Sequence, residues 1–331
     1  MAKNEAQRIV VPLAAAADLS EHLEGWSFVS AALGYDGRAY VLLIDETPER
    51  IEGSFVPTEL KRPAAYKALI VDIGEERAER EEADPLRTDA SIVEEVRIEG
   101  ESFNYHFIQP LGEDELLLVG ARCSYYAHDR IDDNAAVFGR NGAVLRRFVL
   151  GDGIQNVQTT AGGLIWTSYF GEGVFGNRGW VTPIGESGLI AWDSNGIRVF
   201  TNVEANIQDC YALNVVSDDE VWFYYYSDFR LCRLSGPAAA PEVSFLDPKL
   251  EGASAFASDG RRFLFDQGYG AHGQYLLLSR DDSGVLTHGD TLLFALEDGR
   301  TFEPDLADGR GDTLLLVKAA RLHVFKLEEW R

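Results

Sequence analysis

IQNVQTT-AGG-LIWTSYF, residues 154–170, and GLIAWD-SNG-IRVFTN, residues 188–202, decide how this chain folds. Each is a pair of short apolar or aromatic runs around a polar turn, Ala161-Gly162-Gly163 in the first and Ser194-Asn195-Gly196 in the second. Runs of this length with period-2 character, bounded by Gly and Asn, are strands, and Asn-Gly is a strong hairpin signal. Joined by a long Gly-rich loop, the two hairpins make a four-stranded antiparallel meander.

Weaker copies of that unit fill the chain. The first hairpin recurs at 28–44, 105–121, 155–170, 211–226, 254–265 and, as FEPDLA-DGRG-DTLLLVK, at 302–318. Second hairpins follow at 134–150, 188–202, 231–246 and 274–289. Repetition of this kind predicts an all-β, six-bladed β-propeller of four-stranded antiparallel blades, one domain over 1–331. The last blade ends at RLHVFKL, 321–327, with only three strands. A strand at 7–13 is expected to supply its fourth, because an unclosed ring leaves exposed edges. Segment 46–91 reads as an insertion in or beside the first blade, with strands near 65–73 and 92–99 and a solvated acidic loop between them.

Bulk properties narrow the function classes. The formal charge of −24 with a pI near 4.6 argues against a phosphate-backbone partner or an anionic membrane surface, both of which need clustered Lys and Arg. A basic protein partner or a cation suits that charge. No run approaches the roughly 20 apolar residues of a membrane span. The N-terminal IVVPLAAAA stretch carries a Pro near its middle and reads as a strand rather than a leader. Cys123, Cys210 and Cys232 lack regular spacing and suit buried free thiols in a cytoplasmic, monomeric protein.

Propeller topology sorts the loops onto two faces. Turns joining the first to second and third to fourth strands share one face; the other connections share the opposite face. Long connections at 45–64, 121–133, 168–187 and 267–273 all fall on the second, which is the expected binding face. The side chains expected to bind there are Tyr126, His128, Tyr169, Glu172, Phe175, Trp180, Tyr269 and His272. Aromatics beside carboxylates suit a sugar-like, cationic or peptide ligand. Polar residues near the innermost strands, His106, Gln155, Gln158, Glu303 and Asp305, are expected to line the channel. Asn156 and Asp209 occupy equivalent positions there and make an oxygen-ligand pair for Ca²⁺ or a similar divalent cation, with simple water-holding as the alternative. No HExxH or Gly-x-Ser-x-Gly motif occurs, and Gly171-Glu172-Gly173 lies outside any nucleotide-loop context.

GLIWTSYF, GLIAWDSNG and DDEVWFYYYSDF resemble the hairpins of bacterial six-bladed propellers in the broad NHL, TolB-like and SMP-30/gluconolactonase-like group. They are most similar to a bacterial family with the Trp-Thr-Ser-Tyr-Phe-Gly-Glu-Gly module. The resemblance covers most of the chain from about residue 26. It implies, for the lactonase branch, a Glu, an Asn and an Asp around a divalent metal; only Asn156 and Asp209 match, and no Glu is placed. Three functions stand at this level, the last of them a purely structural module. One is a non-enzymatic scaffold binding a small molecule or a basic protein, as an immunity-type protein would, on the long-loop face. The second is a metal-dependent hydrolase or lyase acting on a sugar or lactone.

Overall fold

Short strands with both faces buried, separated by glycine turns, give six sheets arranged as the blades of a ring. The computed structural model describes residues 6–45, 56–74, 92–127 and 130–330. The chain begins with β1 (Arg8–Pro12) and β2 (Ala15–Asp18). Blade 1 is β3 (Trp26–Leu33), β4 (Ala39–Asp45), β5 (Glu59–Val71) and β6 (Ile92–Phe103). Blade 2 is β7 (Phe107–Leu111), β8 (Glu115–Val119), β9 (Ala135–Gly139) and β10 (Val144–Phe148). Blade 3 is β11 (Ile154–Thr159), β12 (Ile165–Tyr169), β13 (Leu189–Trp192) and β14 (Arg198–Thr201), with helix α1 (Gly171–Phe175) in its long loop. Blade 4 is β15 (Asp209–Ser217), β16 (Glu220–Tyr226), β17 (Arg230–Ser235) and β18 (Glu242–Leu246). Blade 5 holds β19 (Phe256–Ser258), β20 (Arg262–Asp266), β21 (Gln274–Arg280) and β22 (Leu286–Ala295). Blade 6 holds β23 (Leu306–Arg310), β24 (Thr313–Lys318) and β25 (Arg321–Lys326).

The core is divided among the seams between blades. Tyr40, Tyr66, Tyr105 and Phe138 pack between blades 1 and 2. Leu213, Phe223 and Trp166 pack between blades 3 and 4, and Trp222, Tyr224, Phe256 and Phe265 between blades 4 and 5. Because each sheet is covered on both sides, its middle strands carry unbroken apolar runs such as Leu116-Leu117-Leu118-Val119. All three cysteines are buried free thiols, and burial pushes the Cys232 thiol up to about 12. No helix among the described residues is long and apolar enough to cross a membrane.

An N-terminal strand does close the last blade, but it is not the strand at 7–13. β2 pairs antiparallel with β25 as the fourth strand of blade 6, with Ala15 opposite His323 and Asp18 opposite Arg321. β1 instead pairs in parallel with β22, making blade 5 five-stranded. The alanine run has low strand propensity, so the sequence pattern passes over it; tertiary pairing overrides that preference. Val11 and Leu13 then enter the seam of blades 5 and 6 with Phe294, Phe302 and Phe325, and Ala17 and Leu19 enter the seam of blades 6 and 1. Pro12 is tolerated because β1 is an edge strand. β5 lies within the 46–91 segment, so two connections flank it, and the one after Val71 leaves on the tight-turn face. Residues 46–55 and 75–91 lie outside the described residues.

Candidate functional site

The innermost strands line the axis, and their polar residues meet in a plug that links all six blades. Gln158 Nε2 donates to Gly309 O at 2.9 Å and Asp308 Oδ1 at 3.2 Å, while its Oε1 accepts the Val215 N–H. Asn214 donates to Phe256 O and Gly311 O. Arg310 donates to Thr159 O at 2.5 Å and, more weakly, to Leu33 O. Gln109 accepts from the Thr159 N–H and hydroxyl. Burial raises Asp308 to about 6 and lowers Arg310 to about 10.

This plug corrects the reading of blade 6. DGRG at 308–311 was expected to be a turn, but Asp308, Gly309 and Arg310 belong to β23 and the turn follows at Gly311 and Asp312. Gly309 is needed for close approach, since a Cβ there would lie 2.0 Å from Phe256 O. The shift of register takes Glu303 and Asp305 out of the channel. Both are exposed, and Asp305 instead holds Lys318 and the Ala319 N–H.

On the long-loop side of the plug lies a cavity of about 370 Å³, lined by His106, Gln155, Asn156, Ser254 and Asp308 among others. Three expected channel residues, His106, Gln155 and Asn156, therefore meet there, with Gln158 below them in the plug. Asp209 is not part of the lining. Asn156 donates to Ser168 Oγ. Among the described residues no group of three or more His, Cys, Asp or Glu converges on a point that would hold a metal. Asn156 lines the cavity and Asp209 does not, so the two residues expected to share a cation do not meet there.

The long loops of blades 2 and 3 form one rim cluster, and it is bonded within itself. Arg122 donates to both carboxylate oxygens of buried Asp152, at 3.0 and 2.9 Å, and reaches Glu172 at 2.5 Å. Burial pushes the Asp152 carboxyl up, against the pull of the Cys123 N–H and Arg122. Burial opposes ionisation of Glu172 too, but Arg122 holds it below the usual carboxylate range. Trp180 is half-buried; its Nε1 donates to Cys123 O at 2.8 Å and its ring lies 5.3 Å from that of Tyr125. Gly179 permits this, because a Cβ would lie 2.1 Å from Tyr125 O. Tyr126 lies under Arg130, 4.1 Å from its ring, and reaches Asp132 with its hydroxyl. Tyr169 is a core residue, not a surface one: it is fully buried and donates to Leu150 O. Both faces of β12 are covered by neighbouring blades, so all of its side chains are buried. Phe175, at the end of α1, is 69% exposed. His128 lies outside the described residues.

A second rim cluster occupies the cleft of blades 4 and 5. Tyr226 ends β16 and is 39% exposed, and Tyr269, in the β20–β21 loop, is 56% exposed. Tyr211 stacks near-parallel to Tyr226 at 6.3 Å, and its hydroxyl bonds to that of Tyr269. Phe229 fits edge-on to Tyr226 at 5.4 Å and to Tyr269 at 6.0 Å. Asp209 stands opposite Tyr226 in the β15–β16 ladder, so their side chains leave the same side of the sheet. Burial raises its carboxyl, and the Gly171 N–H alone works the other way. Tyr211 is raised by burial first, then by Tyr269 and the charge of Asp209. Nearby, His272 Nδ1 lies 2.6 Å from Oδ2 of buried Asp266, which also accepts from Ser254 Oγ and, through Oδ1, the Gly273 N–H. That fixes the ring of His272 beside the end of β20.

Tyr211, Tyr226 and Phe229 were not singled out from sequence because the β16–β17 turn is short. The signal was present: in Tyr224-Tyr225-Tyr226 at a strand end, alternation must put two rings on one face, and the last emerges at the rim. On the opposite face, Tyr35, Asp36, Arg38, Asp72 and Lys326 surround a pocket of about 500 Å³ floored by Arg310. Its walls mix both charges.

A family model described as the YxzG family matches residues 185–239, from the end of the blade 3 loop through β17. No curated protein matches the chain. Among solved structures, a putative 6-phosphogluconolactonase from Bacteroides uniformis is similar at 12% identity, covering 89% of this chain and 80% of that one, with a TM-score of 0.48. The virginiamycin B lyase of Staphylococcus aureus is similar at 7% identity, covering 91% and 94%, with a TM-score of 0.46. The β-propeller domain of Myceliophteria thermophila Cps50 (Swd1) is similar at 11% identity, covering 91% and 83%, with a TM-score of 0.47. At these identities and TM-scores the likeness carries nothing about activity.

Proposed function

We propose that this chain is a binding scaffold that recognises a protein partner on its long-loop face. The observation that supports it is the exposure of Phe175, Tyr226 and Tyr269 on one face of a chain whose net charge is −24. Large rings held by a rigid sheet framework are good binding anchors, because little conformational freedom is lost when they are covered. The acidic surround favours a basic partner by steering encounter and by complementarity. An immunity-type role, in which the chain neutralises a basic protein, is consistent with this chemistry.

The test is affinity capture from lysate followed by mass spectrometry, with variants on the two faces run in parallel. A partner should be held by the native chain and by an Arg38→Ala variant on the tight-turn face. It should be lost from a Phe175→Ala/Tyr269→Ala variant. Loss on the tight-turn variant alone, or on neither, would overturn the reading.

A further inference from the structure

We infer that the cleft of blades 4 and 5 takes an arginine side chain from a basic partner, its guanidinium lying on the Tyr211, Tyr226, Phe229 and Tyr269 rings beside Asp209. This rests on the reading of the long-loop face as the partner surface, and it names the chemistry recognised there.

Elsewhere the protein lays its own cations over ring faces, both half-buried (Trp26, Tyr126, Phe170) and buried (Trp192, Trp222). Lys67 lies 4.5 Å from the centre of the Trp26 ring, Arg130 lies 4.1 Å from Tyr126, and Arg233 lies 5.3 Å from Trp222. Arg122 lies over Phe170 and Arg198 over Trp192. Among the cation–ring pairs of the described residues the cation is arginine in all but one. In the blade 4–5 cleft the rings touch one another, and among the described residues no cation covers them. Arg230, the next residue after Phe229, turns away to lie 4.4 Å from the Phe245 ring.

The carboxylate shows the same vacancy in its pairing. Asp152 and Glu172, on the neighbouring rim, share Arg122. Asp209 forms no ion pair among the described residues, and only a backbone N–H of α1 steadies its charge. A half-buried carboxylate without a cation costs the fold stability, and a ring face without a cation leaves its quadrupole unused. One planar guanidinium answers both. It stacks on the rings with its face and donates N–H bonds to the carboxylate from its edge. A lysine ammonium satisfies one or the other from a single point, so arginine is the better fit.

Fluorescence anisotropy with three labelled hexapeptides of equal length tests this: alternating Arg-Gly, alternating Lys-Gly and alternating citrulline-Gly. The arginine peptide should bind several-fold more tightly than the lysine peptide, and the citrulline peptide at least tenfold more weakly. Asp209→Asn and Tyr226→Ala should each weaken the arginine peptide by about tenfold without lowering the melting temperature, while Tyr226→Phe retains binding. Tyr269→Ala serves as an independent variant should Tyr226→Ala melt early. No measurable arginine binding, or equal binding by native chain and Asp209→Asn/Tyr226→Ala, overturns the inference. If Phe175→Ala/Glu172→Ala weakens binding and the cleft variants do not, the face is the binding surface and the arginine site is wrong. If neither set matters, both readings fall.

Discussion

Two aromatic and acidic clusters sit on the same face of this ring, and they differ in whether the molecule completes them. At the rim of blades 2 and 3, Arg122 serves Asp152 and Glu172, Arg130 covers Tyr126, and the Trp180 N–H is spent on Cys123 O. At the rim of blades 4 and 5, four rings and one carboxylate have no cation among the described residues. Composition alone cannot separate the two, since both are aromatic and acidic residues with an arginine close by in the sequence. Completion separates them. A cluster whose donors and charges are matched internally holds loops in place, and the unmatched one is what the proposed reading assigns to a partner.

The largest expected effect tests the completed side. Arg122→Ala leaves Asp152 charged and buried, which should cost about 3–5 kcal/mol in chemical denaturation. Removing both partners, in Arg122→Ala/Asp152→Ala, should restore part of that loss. A cost below about 1 kcal/mol would place Arg122 among ordinary surface pairs and break the contrast.

The channel plug belongs with the completed side and has a pH signature. Burial raises the folded pKa of Asp308 to about 6 from the ordinary aspartate value of 3.8, so between those values the folded state binds more protons than the unfolded state. Its contribution is present below pH 3.8 and is lost as pH rises through 6, a fall of about 3 kcal/mol for a shift of this size. Carboxylates with lowered values, such as Asp247 and Asp259, act in the opposite sense. The difference between native chain and Asp308→Asn isolates the term: the variant should lose less stability from pH 4 to pH 6. A parallel pair of curves would contradict it.

Smaller effects sharpen the contrast. Trp180→Phe keeps the ring contact with Tyr125 but removes the bond to Cys123 O, and should cost about 1 kcal/mol. Asp209→Asn should be neutral or slightly stabilising at pH 7, because burial already disfavours the charged form. A carboxylate that the fold gains nothing from keeping is what a recognition site requires. A marked loss of melting temperature in Asp209→Asn would make Asp209 a structural residue and remove it from the site.

Much of the architecture was legible because period-2 runs and glycine turns report local geometry directly. The hairpins at 155–170 and 211–226 fall in β11–β12 and β15–β16. What was not legible depended on tertiary partners. Ala15–Asp18 becomes a strand only because the edge of β25 awaits it. Asp308-Gly309-Arg310 looks like a turn until Gln158, Leu33 and Thr159 are seen to satisfy its side chains. The site was half legible. Loop length pointed to Trp180, Phe175 and Tyr269, but length says nothing about which rings are capped, and Tyr169 lies in the core because both faces of β12 are covered. Asp209 was picked out as a ligand for a divalent cation, and the proposed reading gives it a guanidinium instead.

The most direct measurement is a ¹⁹F NMR titration of fluorotyrosine-labelled protein with the alternating Arg-Gly hexapeptide, resonances being assigned by single Tyr→Phe variants. The account predicts shifts at Tyr211, Tyr226 and Tyr269, with Tyr125 and Tyr126 unmoved because their cluster is already complete. Shifts centred on Tyr125 and Tyr126, or a uniform drift across all tyrosines, would contradict it.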